Sequence, residues 1–458
     1  MPRAISKHCN KTTQQRITKK AYIVDIEENQ RFEQDITSGL LKNSQLMTVL
    51  NLSIVTFFVL LGLSMVAPIL PSYAESFQVT YTLVGFVVSS FAVTRVILDI
   101  PAGLLSRRYD KKMVMILGLT LIVISSIMAG FAPNYIVLVI ARMIEGAGSA
   151  LYVTSATVFL AQISGKENRG QWMSLYSGML LLGSIFGPTF GGVIASTFDL
   201  RAPFFAYAIA AGLGVIPTLT LPKIKNSEHT SGVDERKSTL RDMWQVLTYP
   251  SFLLATFATF ALFFIRTGIR STLVPLFAHN NLELDPSFIG GILTVAAITT
   301  AATMVPMGKL SDRIGRRNPL ALCLLLSALI TVWIPYSGDL LELTINMAVY
   351  GAVIGLSGPI AAFVTDVSPQ NKIEVSMGLY RMISDMGFIA GPLFLGYLAD
   401  ITATPVVGET HSGLISTIPF TAAAIILVIA GLTLLRARDP IRERNAQKKI
   451  DESEQDNY

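Results

Sequence analysis

Twelve apolar stretches constrain this chain more than any other feature. A helix that crosses a bilayer needs about 20 mostly apolar residues. The stretches cover residues 49–71, 83–105, 113–132, 135–161, 172–196, 203–221, 251–278, 288–309, 319–337, 341–365, 374–399 and 414–435. Only 15% of the residues are charged, against about 25% in soluble proteins. The sequence therefore predicts an all-α membrane protein with twelve spans. It excludes a soluble enzyme, a disordered scaffold and a nucleic-acid-binding protein.

The basic residues fall almost entirely on one side of the predicted bilayer. If the amino terminus is cytoplasmic, thirty of the 36 Lys and Arg residues lie in the tails and inner loops, and five lie within spans. One, Arg201, lies in an outer loop. Basic residues concentrate in the cytoplasmic loops of membrane proteins. We therefore expect a multi-pass protein of the cell membrane with both termini in the cytoplasm and anionic lipid near its basic tails.

The two halves of the chain repeat each other across six spans. Gly85 matches Gly290, and the pair Gly187–Pro188 matches Gly391–Pro392. Because six is an even number of spans, the repeats run parallel to each other in the membrane. The predicted domains are a polar cytoplasmic tail (1–45), an N-terminal bundle (46–221), a cytoplasmic linker (222–248), a C-terminal bundle (249–436) and a second cytoplasmic tail (437–458).

A basic loop motif follows the second span and recurs after the eighth. The first copy contains Gly103, Arg107, Arg108 and Asp110, and the second contains Gly308, Asp312, Arg313, Gly315, Arg316 and Arg317. These residues are candidates for a gate at the inner helix ends. Simple anchoring of the helix ends by positive charge is the alternative for the first copy.

Two further motifs lie inside spans. The fourth span contains Arg142, Glu145 and a following glycine-rich turn. The fifth contains Gly183, Gly187, Pro188, Gly191 and Gly192, and Gly387, Gly391 and Pro392 repeat part of this pattern in the eleventh. Small residues let helices approach closely, and proline bends a helix by removing a backbone hydrogen bond. The repetition favours a structural hinge at symmetric positions over a unique chemical role.

With these motifs the chain resembles the major facilitator superfamily, and its fifth-span motif is similar to that of the drug/proton antiporters with twelve transmembrane helices. The resemblance implies two six-helix bundles around a central cavity. It also implies a monomer that moves a small molecule by alternating access, with protons as the coupling ion and no cofactor or metal. The resemblance also implies that the glycine motif seals the path against proton leak.

The resemblance further implies that the loop motif forms an ion-pair latch steadying the outward-facing state. Here the first copy departs from the family pattern. Arg107 stands where the carboxylate is usual, and Asp110 replaces the usual glycine. Asp110 lies three residues further on, nearly on the same face if the helix continues. Whether it substitutes for the missing carboxylate stays open at this point.

Charged residues within spans are candidates for function because each costs about 2.5–3.5 kcal/mol at a helix centre on insertion scales. Three opposite-sign pairs share a helical face, namely Arg95–Asp99, Arg142–Glu145 and Arg381–Asp385. No histidine lies in a span, so proton coupling depends on Asp385, Glu145 or Asp99, preferred in that order. Burial raises the pKa of a carboxyl group and a nearby arginine lowers it. The alternative is a set of structural ion pairs.

Arg266 and Arg270 share a face of the seventh span without an acidic neighbour there. These arginines have three possible roles. They could bind an anionic substrate bidentately, they could pair with Asp385 or Asp366 on other spans, or they could extend to the membrane surface by snorkelling. The leading functional hypothesis is proton-coupled efflux of small amphipathic compounds, and the alternative is a carrier of an organic anion or other small metabolite. A non-transporting receptor is a lesser hypothesis. An intramembrane enzyme is disfavoured because no nucleophile–base pair or metal-ligand set lies in the spans.

Overall fold

Twelve apolar helices make up the core of the computed structural model, which describes residues 45–164, 169–222, 235–405 and 413–444. Eleven of them are long and apolar enough to cross a membrane, and the twelfth has 17 residues. In chain order the spans are Gln45–Val66, Tyr81–Arg108, Lys111–Gly130, Tyr135–Ile163, Arg169–Thr197, Ala202–Thr220, Pro250–Asn280, Pro286–Ile314, Arg317–Tyr336, Leu340–Val367, Ile373–Thr402 and Ile418–Leu434. Residues 1–44 of the first predicted tail, residues 223–234 of the predicted linker and residues 445–458 of the second predicted tail lie outside the described residues.

Three spans are interrupted, which the apolar pattern did not predict. The first ends at Val66 and the chain continues as a short helix, Leu70–Glu75. The seventh contains a π-helical segment at Arg266–Leu273. The tenth divides into Leu340–Gly355 and Ile360–Val367. Prolines lie at the first and third interruptions, where the missing N–H breaks the helical hydrogen-bond ladder. The interruptions of the first and seventh spans lie at matching positions of the repeat.

The predicted linker contains a helix, Glu235–Leu247. It is too short and too polar to cross a membrane, yet Val246 is fully buried. The Asp242 carboxylate lies 2.9 Å from the Lys372 ammonium in the turn before the eleventh span. The helix is therefore attached to the C-terminal half. A two-residue antiparallel pairing of Thr404–Pro405 with Gly413–Leu414 joins the eleventh span to the twelfth.

The two halves are in close contact at one end of the bundle. There the second span packs against the eleventh, and the fifth against the eighth. A Cβ atom on Gly85 would lie 2.2 Å from the Pro392 carbonyl oxygen, and one on Gly290 would lie 2.2 Å from the Pro188 carbonyl oxygen. Only glycine permits backbones to approach this closely. We call this end the distal side.

The opposite end of the bundle is open. Five glycines on the fifth, eighth and eleventh spans would have no heavy atom within 4 Å of an added Cβ atom. One, Gly291, lies on the outer face of the eighth span near the distal side, and the other four lie toward the opposite end, namely Gly170, Gly178, Gly308 and Gly378. The loops after the second and eighth spans, with their basic motifs, lie at this end, which we call the basic side. The helices therefore enclose a cleft that is closed on the distal side and open on the basic side.

A polar network reinforces the distal closure. The Asp400 carboxylate, at the end of the eleventh span, accepts hydrogen bonds from the backbone N–H groups of Tyr81 (2.6 Å) and Thr82 (2.8 Å) at the start of the second span. The Tyr81 hydroxyl donates to the Gly413 carbonyl at 2.5 Å. Free N–H groups and the helix dipole favour a carboxylate at this position. One half of the protein thus caps a helix of the other.

We predict that Asp400→Asn weakens the distal closure, because the amide has no negative charge and one acceptor fewer. A hydrogen bond to a charged group is worth about 1.5–3 kcal/mol, so the open population should rise by about tenfold or more. Spin labels at Phe198→Cys and Leu341→Cys, both exposed and in opposite halves, report this opening by electron–electron double resonance.

Asp199→Asn is the matched control. Asp199 also caps a helix, accepting from the N–H groups of Arg201 and Ala202 at 2.8 and 2.9 Å, but within one half. It should leave the distal distance unchanged. Equal effects of the two substitutions, or none from Asp400→Asn, would contradict the assignment of Asp400 to the closure.

Candidate functional site: a central cationic cavity

A cavity of about 330 Å³ lies between the two halves. Its size falls within the range of about 300–1,000 Å³ that is typical of small-molecule sites. Much of the wall is apolar, with contributions from Leu60, Leu63, Val88, Phe91, Phe263, Leu293 and Phe388. The polar part of the wall includes Ser64, Ser184, Thr267, Ser271, four arginines and one aspartate. The cavity therefore suits an amphipathic molecule.

Two of the four arginines in the cavity wall have carboxylate partners. The Arg95 guanidinium lies 3.3 Å from the Asp385 carboxylate, joining the second span to the eleventh. Arg142 pairs with Glu145 within the fourth span, and its guanidinium lies 5.0 Å from the centre of the Phe91 ring. Both members of this second pair are buried. Charges at membrane depth need such partners.

The pairing of the second and eleventh spans differs from the prediction. Spacing predicted Arg95–Asp99 and Arg381–Asp385 within each helix. The structure instead joins Arg95 to Asp385, and Arg381 to Asp99 at 3.3 Å, each across the two halves. The physical reason is that the two helices pack face to face at this depth, which brings the opposite carboxylate within reach of each arginine.

Arg266 and Arg270 lie on the π-helical segment of the seventh span and line the cavity. Within the described parts of the chain, neither has a carboxylate oxygen within 4.0 Å. Arg266 lies 5.9 Å from the centre of the Phe263 ring, and Arg270 donates to the Leu293 carbonyl at 3.3 Å. Asp385 and Asp366, considered from the sequence as partners, pair with Arg95 and Arg316 instead. The cavity thus holds two uncompensated positive charges.

The loop motif of the second half forms ion pairs within that half. Arg316 lies 2.7 Å from the Asp312 carboxylate and 2.5 Å from that of Asp366. The matching positions of the first half are Arg107 and Gln162, so both carboxylates are replaced together. The first half has thereby lost the acidic part of the predicted latch.

Asp110 has a different role from the missing carboxylate. It is the N-cap of the third span, and its side chain accepts from the Lys112 N–H at 3.1 Å. In the second half, Asp439 caps the ninth span by accepting from the Arg317 N–H at 3.1 Å. Gly315, with φ +96°, leaves room for this carboxylate, since a Cβ would lie 2.4 Å from it. The sequence predicts Asp439 in the cytoplasmic tail, because the residue that it contacts lies 122 residues away in the chain.

The glycine motif of the fifth span lies against the first span. Cβ atoms at Gly183, Gly187 and Gly191 would come within 2.8 Å or less of the first span, the last at 2.0 Å from the Met65 carbonyl. Gly387 and Gly391 make the same contact with the seventh span, at 2.4 and 2.2 Å from carbonyl oxygens. A fourth glycine of the motif, Gly192, faces the other half, 2.4 Å from the Pro286 carbonyl.

Beside Pro188, the backbone of the fifth span is bridged from the other half. The Thr294 hydroxyl accepts from the Thr189 N–H at 3.1 Å and donates to the Ile185 carbonyl at 3.2 Å. A side chain that bonds to helical backbone groups in this way is a known cause of bending. The symmetric glycines and this bridge make the motif a set of close helix contacts, and Pro188 also contributes to the cavity wall.

We predict that Gly187→Ala destabilises the protein, because its Cβ would lie 2.3 Å from the Ser64 Cβ and 2.8 Å from the Leu61 carbonyl oxygen. Overpacking of this kind costs about 1–3 kcal/mol. Gly178→Ala on the same helix, with no neighbour within 4 Å, should be neutral or slightly stabilising. Thermal unfolding in detergent measures both. Equal midpoints for the two variants would count against the close contact.

Comparison with known proteins agrees with this architecture. The family model described as Major Facilitator Superfamily matches residues 52–285 and 255–454. Multidrug resistance protein 2 of Bacillus subtilis is 24% identical over 386 residues, covering 83% of this chain and 92% of that protein. The quinolone resistance protein NorA of Staphylococcus aureus is 24% identical over 349 residues, covering 75% and 88%.

Among solved structures, a bacterial homologue of the human lysosomal transporter Spinster, in an inward-facing and occupied conformation, superposes with a TM-score of 0.68. It is 15% identical and covers 85% of this chain and 96% of its own. At this identity the likeness concerns the fold alone. The predicted twelve-helix fold with two six-helix halves is confirmed. The chain is a multi-pass membrane transporter rather than an enzyme, and it belongs to the Major Facilitator Superfamily.

Proposed function

We propose that this protein is a secondary active transporter whose central cavity binds a small amphipathic molecule with an anionic group, and that it works by alternating access. The observation that supports the anionic group is the pair Arg266 and Arg270, which line the cavity without a carboxylate partner among the described residues. Uncompensated charges at membrane depth are costly. A substrate anion would supply the missing partner, and the apolar wall would hold the rest of the molecule.

Transport assays with two probes of equal size and opposite charge test this proposal. Proteoliposomes are loaded with naphthalenesulfonate or with naphthyltrimethylammonium, and exchange is followed by counterflow. We expect exchange of the anion and a loss of about tenfold or more in its apparent affinity in Arg270→Gln, as for one lost charge-assisted hydrogen bond. Arg201→Gln, in the distal loop outside the cavity, is the matched control and should behave as wild type.

Exchange of the cation alone, unaffected by Arg270→Gln, would refute the anionic substrate. It would favour the second candidate function, proton-coupled efflux of amphipathic drugs in general. That candidate is supported by the multidrug and quinolone resistance proteins among the relatives. Both candidates use the same cavity and the same conformational cycle, so the two probes decide between them directly.

We propose further that protons are the coupling ion and that Asp385 is their binding site. Asp385 is the one carboxylate that the described residues contribute to the cavity wall, and its side chain is only 7% exposed. Its partner Arg95 belongs to the opposite half. Protonation would neutralise the carboxylate and weaken the ion pair between the halves. A proton bound here would therefore favour separation of the halves, whereas Glu145 is paired within its own span.

Asp385→Asn should abolish acceleration of transport by a proton gradient while counterflow exchange persists, because the amide does not titrate. Glu145→Gln, which removes an equally buried carboxylate from the cavity's surroundings, should retain the response to the gradient. A pH-sensitive dye in the proteoliposomes measures both. Persistence of gradient-driven transport in Asp385→Asn would transfer the coupling role to another carboxylate.

We propose that the basic side faces the cytoplasm of the cell and that both termini lie there, in accordance with the distribution of Lys and Arg. The cleft, closed on the distal side, would then be open to the cytoplasm. Both halves that form the cavity wall belong to the same chain, and we propose a monomer as the functional unit. Anionic lipid is the expected neighbour of the basic loops.

A further inference from the structure

The wall of the central cavity carries more positive than negative charge. Among the described residues, the charged part of the wall consists of four arginines and one aspartate, namely Arg95, Arg142, Arg266, Arg270 and Asp385. Asp385 pairs with Arg95 at 3.3 Å, and Arg142 pairs with Glu145, which is not part of the wall. Two positive charges therefore remain without a counter-charge, and both belong to the seventh span.

These two charges lie close together on the π-helical segment Arg266–Leu273. Arg266 and Arg270 are four residues apart and line the same cavity. Like charges at this spacing on a helix destabilise it, so an empty cavity keeps two arginines in mutual repulsion. Short π-helical segments within α-helices occur frequently at functional sites. The segment thus has the features of a binding site that an anion would stabilise.

Both guanidinium groups have N–H groups available to a ligand. Arg266 is exposed and Arg270 is partly exposed, and the cleft that leads to them is open on the basic side. Across the described parts of the chain, the Arg266 side chain donates no hydrogen bond, and Arg270 donates only to the Leu293 carbonyl. Because an arginine has five N–H donors, most donors of this pair are unused.

The neighbouring hydroxyl groups on the same segment already donate to the backbone. The Thr267 hydroxyl lies 2.9 Å from the Phe263 carbonyl and 3.2 Å from the Phe388 carbonyl. The Ser271 hydroxyl donates to the Arg266 carbonyl at 3.3 Å. The two arginines are therefore the main donors that this part of the wall offers to an anion.

We propose that the substrate of this cavity has a doubly charged head group, of which a phosphate monoester is the simplest, and that Arg266 and Arg270 bind it together. A singly charged group would leave one positive charge uncompensated at membrane depth, where charge is costly. Arginine forms bidentate hydrogen bonds with phosphate, and the three terminal oxygens provide acceptors for both guanidinium groups. This inference rests on the proposed anionic substrate and specifies its charge.

Two probes with the same ring test the charge of the head group. Naphthalenesulfonate keeps one negative charge, whereas naphthyl phosphate changes from one charge to two at about pH 6. Binding of each probe to the purified wild-type protein is measured by isothermal titration calorimetry on both sides of this value, at about pH 5 and about pH 8. Since the probes carry equal charge at the lower pH, titration of Asp385 or another protein group there affects both alike.

At the higher pH we expect naphthyl phosphate to bind about tenfold or more tightly than naphthalenesulfonate, as for one additional charge-assisted hydrogen bond. At the lower pH the two affinities should agree within about threefold, because the charges are then equal. The ratio of the two affinities, rather than either affinity alone, is the quantity that tests the proposal.

Arg266→Gln and Arg270→Gln each leave one uncompensated charge in the cavity. At the higher pH each variant should lose about tenfold more affinity for the phosphate than for the sulfonate, so the preference for the phosphate disappears. Arg201→Gln, in the distal loop, is the matched control and should keep the wild-type ratio. The wild-type measurement needs no variant, and two arginine variants keep the comparison intact if one folds poorly.

Equal affinities of wild type for the two probes at the higher pH, or a ratio that both arginine variants preserve, would overturn the doubly charged head group. Counterflow of the sulfonate without any preference for the phosphate would reject this inference and leave the proposed function standing. Preferential binding of the phosphate without counterflow of either probe would uphold the inference and reject the proposed function. Binding of naphthyltrimethylammonium alone would reject both.

Discussion

Charge within the membrane is the constraint on which the rest of this structure depends. Insertion scales put the cost at about 2.5–3.5 kcal/mol for each such group, so every buried arginine needs a partner or a function. Six of the eight candidates from the sequence form three ion pairs, two of them between the halves. The remaining two, Arg266 and Arg270, face the cavity. The arrangement of the two halves therefore compensates charged side chains that are buried at the centre of an apolar protein.

Close helix contacts complement these ion pairs. Glycines fix the first span to the fifth and the seventh to the eleventh, and they also form the distal contact between the halves. Within each half, a Cβ at these positions would lie less than 3 Å from the neighbouring helix, so the helices are tightly packed. The distal contact is reinforced by Asp400, which caps the second span from the other half. Tightly packed halves that touch at one end are the arrangement that the proposed alternating access requires.

The sequence was sufficient to predict the helices and the parallel repeat, because apolar length is a local signal. It also predicted four of the arginines in the cavity wall as candidates, Arg95, Arg142, Arg266 and Arg270, whereas Arg381 lies outside that wall and the apolar and serine residues of the wall were not predicted. Partner choice was not predictable. Spacing put Arg95 with Asp99, whereas helix packing put it with Asp385. The π-helical segment of the seventh span and the helix in the linker also have no strong local pattern.

Contacts between distant parts of the chain were equally hidden. Asp400 lies 319 residues from Tyr81 at the helix start that it caps, and Asp439 lies 122 residues from Arg317 at the helix start that it caps. Nothing adjacent to either aspartate in the sequence indicates these contacts. The departure at Asp110 was visible, but its role as a helix cap required coordinates. The two halves are therefore related in sequence yet differ in the source of their caps and in the acidity of their loop motifs.

The central claim is that the two halves close alternately on the distal and basic sides of one cavity. It is tested most directly by measuring two distances in the same reconstituted wild-type background, one between labels at Phe198 and Leu341 and one between labels at Met113 and Leu322, all exposed positions. Alternating closure predicts two populations with opposite changes: the distal distance lengthens as the basic-side distance shortens when pH or substrate is varied. Distances that stay fixed, or that lengthen and shorten together, would contradict it.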